Sequence, residues 1–181
     1  MNLFRKWSSR EYSLPLRLLA LIIPGFLLVF LIPYLLLVSL LRLDVLAGFS
    51  RIDISIGNLL AGVVLVTCGL FFAWWSIGDQ LFVARGTPLP VMPTQRLLIT
   101  GPFRYCRNPM TLGTILAYLG LAIWVGSIFS LVLVLIIAIL LVLYLKTIEE
   151  HELEMRFGQD YLDYKKSTSF LIPRSPGKQK E

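Results

Sequence analysis

Four apolar stretches, residues 16–41, 57–78, 109–125 and 128–145, dominate this 181-residue chain. About 20 consecutive apolar residues cross the hydrocarbon core of a bilayer, and a backbone in that medium must satisfy its own hydrogen bonds. Each stretch therefore reads as a membrane-crossing helix; the third is short, which suits a helix shielded by neighbours or opening into a cavity. Hydrophobic residues make up 56% of the chain and charged ones 15%, far from ordinary globular usage. The expected fold is all-α: an integral membrane bundle of four transmembrane helices plus a cytoplasmic C-terminal helical segment over 146–173. It forms one domain over 1–181, with no room for a separate soluble unit.

The net charge of +6 is not a nucleic-acid footprint, because of where it sits. Arg5, Lys6, Arg10 and Arg17 precede the first span, and Arg85, Arg96, Arg104 and Arg107 lie between the second and third. In the loop between spans one and two, Arg42 and Arg51 are cancelled by Asp44 and Asp53; the loop between three and four has no charge. The positive-inside rule puts both termini and the long middle loop in the cytoplasm. The basic residues then face anionic headgroups, so the partners are membrane lipids and not nucleic acid. The first span is too long for a signal-peptide core and is expected to remain. Cys68 and Cys106 lie at different membrane levels and should not pair; Cys106 beside Arg107 reads as a small filler before a reactive thiol.

Pro24 and Pro33 predict a kinked or partly broken first span. Gly62, Gly69 and Ala73 on the second span and Gly113, Ala117 and Gly120 on the third form small-residue stripes that let helices approach closely. Trp74, Trp75 and Trp124 stand where interfacial anchors do. Residues 86–93 hold three prolines, so this segment is a stiff connector or the cover of a pocket. A tight Gly126-Ser127 turn makes spans three and four a hairpin. It returns Glu149-Glu150-His151-Glu152-Leu153 to the side of the membrane that holds Gly101-Pro102-Phe103-Arg104-Tyr105-Cys106-Arg107-Asn108-Pro109-Met110. Beyond the fourth span, Gly158 ends a helix in a left-handed cap, a second short helix follows over 160–166, and the end of the tail over 167–181 looks poorly ordered. Glu149, Leu153, Phe157 and Tyr161 recur at steps of four, so Glu149 points inward while Glu150 and Glu154 take a more solvated line. A carboxylate on an apolar stripe at membrane level needs a partner and is a functional candidate.

Gly86-Thr87-Pro88-Leu89-Pro90, then residues 97–110 with Arg107-Asn108-Pro109, then Glu149-Glu150, Leu153, Phe157-Gly158, Tyr161 and Tyr164, ending in Leu171-Ile172-Pro173, resemble the isoprenylcysteine carboxyl methyltransferase family. The likeness is to its prokaryotic members, in a superfamily that includes phospholipid N-methyltransferases, and runs from about Gly57 to Pro173. It implies a protein of the prokaryotic inner membrane with S-adenosylmethionine as cofactor and a lipophilic small molecule or lipid as substrate. By position, cofactor contacts would come from Gln95, Arg96, Leu97, Leu98, Phe103, Asn108, Pro109, Met110, Thr111 and Glu149, and the catalytic group from Arg107, Glu149 and Glu150. The chain departs from the pattern where Gln95 and Asn108 replace histidines and Thr111 a tyrosine. Leu145 stands where the eukaryotic enzymes carry an arginine for the prenylcysteine carboxylate, with Lys146 beside it.

Methyl transfer from a sulfonium is an in-line displacement that gains mainly from positioning. Glu149 can accept from the donor's hydroxyls and amino group; Arg107, Asn108 or Gln95 can donate to its carboxylate. An amine nucleophile would need a base, for which Glu150 or His151 is available. Competing readings are an Arg107–Glu149 salt bridge that only locks the hairpin to the tail, and a surface role for His151. Tyr161 and Tyr164 read as packing residues. No Cys/His cluster points to a metal. At the level of function, an NADPH-dependent sterol- or isoprenoid-type reductase and a non-enzymatic membrane protein are the alternatives.

Overall fold

The computed structural model describes residues 12–89 and 92–175. Arg5, Lys6, Arg10, Pro90 and the last residues of the tail lie outside them. The described residues are helical apart from connecting loops, and three helices are long and apolar enough to cross a membrane. A short helix α1 (Leu14–Ala20) leads into α2 (Ile22–Leu46), followed by α3 (Ile56–Val83) and α5 (Ile128–Phe157). Between α3 and α5 lies α4 (Pro109–Val125), apolar but shorter. A last helix, α6 (Gln159–Ser167), is polar. Large apolar side chains of α2, α3 and α5 such as Ile23, Phe30, Val64 and Leu140 are exposed. Continuous apolar faces of this kind are stable only against lipid, so the chain is an integral membrane protein.

The first span is less broken than its prolines suggest. The chain turns at Leu21 and then runs helically to Leu46. Pro24 and Pro33 are each followed by a wide π turn, Leu27–Leu31 and Leu35–Ser39. A wide turn is one way for a helix to relieve a ring that cannot donate and crowds the preceding turn. Arg42 and Asp44 belong to this helix and not to a loop. Asp44 is 2% exposed, and its Oδ1 accepts from the backbone N–H of Phe129, 3.1 Å away, at the start of α5. A carboxylate is stabilised there by the helix N-terminus, so the acidic residue ties the first span to the last.

Small residues set the central contact. An added Cβ at Gly69 would lie 2.5 Å from the backbone N of Ala117 and O of Gly113, and one at Gly62 2.7 Å from Cβ of Trp124. The expected stripes therefore meet face to face, and α4 packs chiefly on α3. The turn between α4 and α5 is as expected: Gly126 is left-handed at φ 66°, and the Ser127 side chain accepts from Ser130 N. Asn58 Nδ2 donates to Ile52 O and Ile123 O at 2.7 and 2.8 Å, closing this end of the bundle.

At the other end, Arg17 is buried and donates to the carbonyl of Leu81, where a cation suits the C-terminus of α3. Here α3 ends in a wide turn, Asp79–Val83, and α5 passes through another, Leu145–Glu149, as its apolar part gives way to polar sequence. Gly158, at φ 57°, reverses the chain so that α6 folds back beside α5. The tail then runs alongside the loop before α4: Arg107 N donates to Ser169 O at 2.9 Å and Arg174 N to Tyr105 O at 3.0 Å.

Candidate functional site

A cavity of about 170 Å³ opens where α3 ends, α4 begins and α5 turns polar. Several segments of the chain reach it. The proline-rich segment supplies Thr87, Pro88, Leu89 and Pro93, so it covers a pocket and is not merely a connector. Thr87 holds its bend: its N–H donates to Met92 O at 2.8 Å and its Oγ1 to the same carbonyl at 3.1 Å. Leu98 and Phe103 form a small buried cluster with Ala84 and give the cavity an apolar wall. The start of α4 contributes Arg107 through Thr111, and α5 contributes Glu149, Glu150, Leu153 and Phe157. From α6 come Tyr161 and Tyr164.

The two adjacent glutamates differ sharply, and not as their spacing implied. Glu150 is 7% exposed; its Oε1 accepts from Arg107 Nη2 at 2.7 Å and its Oε2 lies 2.8 Å from Lys165 Nζ. Burial pushes its carboxyl up, but the hydrogen bonds from Lys165 and Arg107 outweigh that and hold it below the usual range. The solvated line expected for Glu150 and Glu154 is covered instead by α6, whose Lys165 also pairs with Glu154 at 2.8 Å. Glu149 does line the cavity with Leu153, Phe157 and Tyr161, as the stripe required, but is only half-buried. It makes no hydrogen bond or ion pair among the described residues. Burial, with Glu152 and Glu150 alongside, pushes its carboxyl up to about 7. The salt bridge weighed for Arg107 therefore exists, but with Glu150 in place of Glu149.

Arg107 is also engaged elsewhere. Nη1 donates to the carbonyls of Lys165 and Thr168 at 2.7 and 2.6 Å, and the guanidinium lies over the ring of Phe170 at 5.7 Å. Asn108 Nδ2 donates to Phe170 O at 3.0 Å, which leaves its amide oxygen for a ligand. Among the other residues singled out by sequence, Leu97, Leu98, Phe103, Pro109, Met110 and Thr111 line the cavity, whereas Gln95 and Arg96 do not. Gln95 Nε2 donates to Pro93 O at 2.9 Å and Arg96 is exposed. Neither base suggested for an amine nucleophile is placed for it: Glu150 holds two cations, and His151 is exposed and off the cavity wall. Cys106 is fully buried and its thiol is pushed up to about 11 by burial, so filler is its role.

Sequence reasoning missed Gln80, Tyr144, Glu152 and Arg156 on the wall, and gave Tyr161 and Tyr164 packing roles only; Leu145, singled out by the family comparison of motifs, lies on it. Tyr164 does pack, its hydroxyl donating to Phe103 O at 2.6 Å. Tyr161 is 1% exposed and its hydroxyl makes no hydrogen bond among the described residues.

Two polar segments forty residues apart thus close one cavity at the end of a membrane bundle, with apolar walls and one uncommitted carboxylate. The sequence profile of phospholipid methyltransferases matches residues 58–160, more than half of the chain. The chain belongs to the phospholipid methyltransferase family. No curated protein and no solved structure matches it. The matched region runs from the start of α3 into α6 and takes in the proline-rich cover, residues 97–111 and both glutamates. Membership agrees with the superfamily resemblance of the motifs and indicates a methyltransferase acting on a membrane substrate.

Proposed function

We propose that this protein transfers a methyl group from S-adenosylmethionine to a lipophilic substrate at the cytoplasmic face of the membrane. The observation that carries the reading is Glu149, a carboxylate on the cavity wall with no hydrogen-bond or ion-pair partner among the described residues. A half-buried carboxylate without a donor is partly desolvated, and a ligand with hydroxyl and ammonium donors relieves it. The amide oxygen of Asn108, on the facing wall, is a second acceptor for the same kind of group. When bound, S-adenosylmethionine supplies an electrophilic methyl on a cationic sulfur. The protein's part is to hold that group between α5 and the start of α4, to exclude water with Leu98, Phe103 and the proline-rich cover, and to align the substrate. Arg107 acts as a positioning residue, fixing the tail and Glu150 so that the wall beside Glu149 is firm.

The substrate side is apolar where a carboxylate binder would have to stand. Leu145 is 4% exposed and lines the cavity, while Lys146 is exposed, with its ammonium over the ring of Phe170 at 5.1 Å. A lipid amine in its neutral form, a thiol or another small lipophilic nucleophile fits this wall better than a prenylcysteine carboxylate. The test is a methyl-transfer assay with radiolabelled S-adenosylmethionine, comparing N-acetyl-farnesylcysteine with a panel of membrane lipids. The expected result is at least tenfold more label in a lipid of the panel than in the farnesylcysteine. Efficient farnesylcysteine turnover that Lys146→Met abolishes would assign Lys146 to the substrate carboxylate and overturn the substrate class.

The cytoplasmic placement rests on four crossings, with α4 completing the set as a short span, and on the charge asymmetry of the loops. Single cysteines at Ser50 and Arg96, both exposed, report it in a background where Cys68 and Cys106 are replaced. A membrane-impermeant thiol reagent added outside intact cells should label position 50 and spare position 96. The reverse pattern would move the site to the other face.

A further inference from the structure

We infer that Gln80 is the residue that reads the purine base of the methyl donor. This deepens the S-adenosylmethionine reading above and rests on it. Gln80 lies in the wide turn Asp79–Val83 that ends α3, lines the cavity, and is only 8% exposed. Its backbone carbonyl accepts from Gly86 N at 2.9 Å, which fixes the root of the proline-rich cover. Its side-chain amide makes no hydrogen bond among the described residues. Neither amide atom is among the sealed polar atoms that lack a partner, which are confined to Arg17, Asp44 and Arg107. The small accessible surface that Gln80 keeps therefore includes its amide, at a residue of the cavity wall.

An amide left open in this way at a largely buried residue is unfavourable until something completes it. What completes it must offer one donor and one acceptor side by side, the pattern that a glutamine meets on an adenine edge. The surroundings favour a flat aromatic heterocycle over an alkyl chain. The chain segments rooted at Gln80 carry Pro88, Leu89, Leu98 and Phe103 to the same cavity, a set of rigid apolar faces. Of the charged residues of the wall, Glu149, Glu150, Glu152 and Arg156 come from α5 instead, and Arg107 from the loop before α4. The donor has the same division: a purine at one end, and hydroxyls, an ammonium and the sulfonium at the other. Gln80 thus takes the base and Glu149 the polar end. Two-sided placement of this kind would set the methyl group's position along the cavity.

The test is isothermal titration of the purified full-length protein in detergent. The ligands are S-adenosylhomocysteine and its analogue whose purine lacks the 6-amino group. Wild-type protein should prefer the amino form by about tenfold, because the analogue leaves the Gln80 acceptor unpaired. In Gln80→Met, close to glutamine in shape, that preference should fall to less than twofold. Wild-type protein that binds both ligands equally would overturn the assignment, and this measurement does not depend on any variant folding. A preference that persists in Gln80→Met, or in Gln80→Leu should the methionine variant not fold, would also overturn it. If wild-type protein binds neither ligand, the S-adenosylmethionine reading falls and takes this inference with it.

Discussion

Replacing Glu149 by glutamine should weaken S-adenosylmethionine binding at pH 7.5 by tenfold or more. The carboxylate lines the cavity without a partner among the described residues, whereas the adjacent Glu150 is held by Arg107 and Lys165. A hydrogen bond to a charged group contributes roughly 1.5–3 kcal/mol, and a cationic ligand adds attraction in a cavity shielded from water. Calorimetry on Glu149→Gln and Glu150→Gln separates the two roles. Glu150→Gln should act through stability, with ligand affinity nearly normal in the protein that remains folded. Equal loss of intrinsic affinity from both substitutions would mean that the ligand reads the pair as a unit.

The same residue gives the binding a pH dependence whose sign can be worked out. In the empty cavity burial, with Glu152 and Glu150 beside it, raises the Glu149 carboxyl to about 7, and a cationic ligand favours the ionised form. Binding below pH 7 must therefore release a proton, and affinity should rise with pH through 6 and 7 and level off above about 8. In Glu149→Gln the profile should be flat over that window. Stability runs the other way. A carboxyl raised on folding favours the native state below its unfolded value near 4.5, and that contribution is lost as pH rises through about 7. The unliganded glutamine variant should therefore melt at a higher temperature than wild type at pH 8.

How much of this site can be read from the chain depends on which residues are asked about. The apolar runs, the Gly62/Gly69 and Gly113/Gly120 stripes, the turn at Gly126 and the reversal at Gly158 are local signals, and the fold follows them. The stripe of Glu149, Leu153, Phe157 and Tyr161 also survives as a common wall. What spacing does not carry is which other segment covers the next line of the helix. Glu150 is buried because α6 doubles back over it and because Arg107 arrives from the loop before α4, contacts across 15 and 43 residues. Asp44 similarly cancels no neighbouring charge; it caps a helix 85 residues away. Gln80 was invisible for another reason. A single glutamine at the end of an apolar run carries no pattern, and its unfilled amide is a property of the folded cavity alone.

Removing the Arg107 guanidinium, as in Arg107→Met, should have the largest structural effect of any single change at this site. One side chain serves three acceptors, Glu150 and the carbonyls of Lys165 and Thr168, and stacks on Phe170. Its loss removes the side-chain anchors at Lys165 and Thr168, leaving the tail to its backbone bonds and Asn108, and leaves a largely buried carboxylate with Lys165 alone, itself one-third exposed. Breaking one side of a buried pair costs about 3–5 kcal/mol. Arg107→Lys should recover little, since a point charge cannot span acceptors that the planar fork reaches together. The double variant Arg107→Met, Glu150→Met should be less destabilised than Arg107→Met, because no charge is then left behind in the apolar wall. Thermal unfolding followed by tryptophan fluorescence measures the stabilities, and limited proteolysis reports whether residues 165–174 have come loose. A tail that stays protected, with an unchanged melting temperature, would free Arg107 from this clamp and return it to the ligand's carboxylate. On the clamp reading, the arginine of this motif governs methyl transfer at one remove: it holds the wall against which Glu149 meets the ligand.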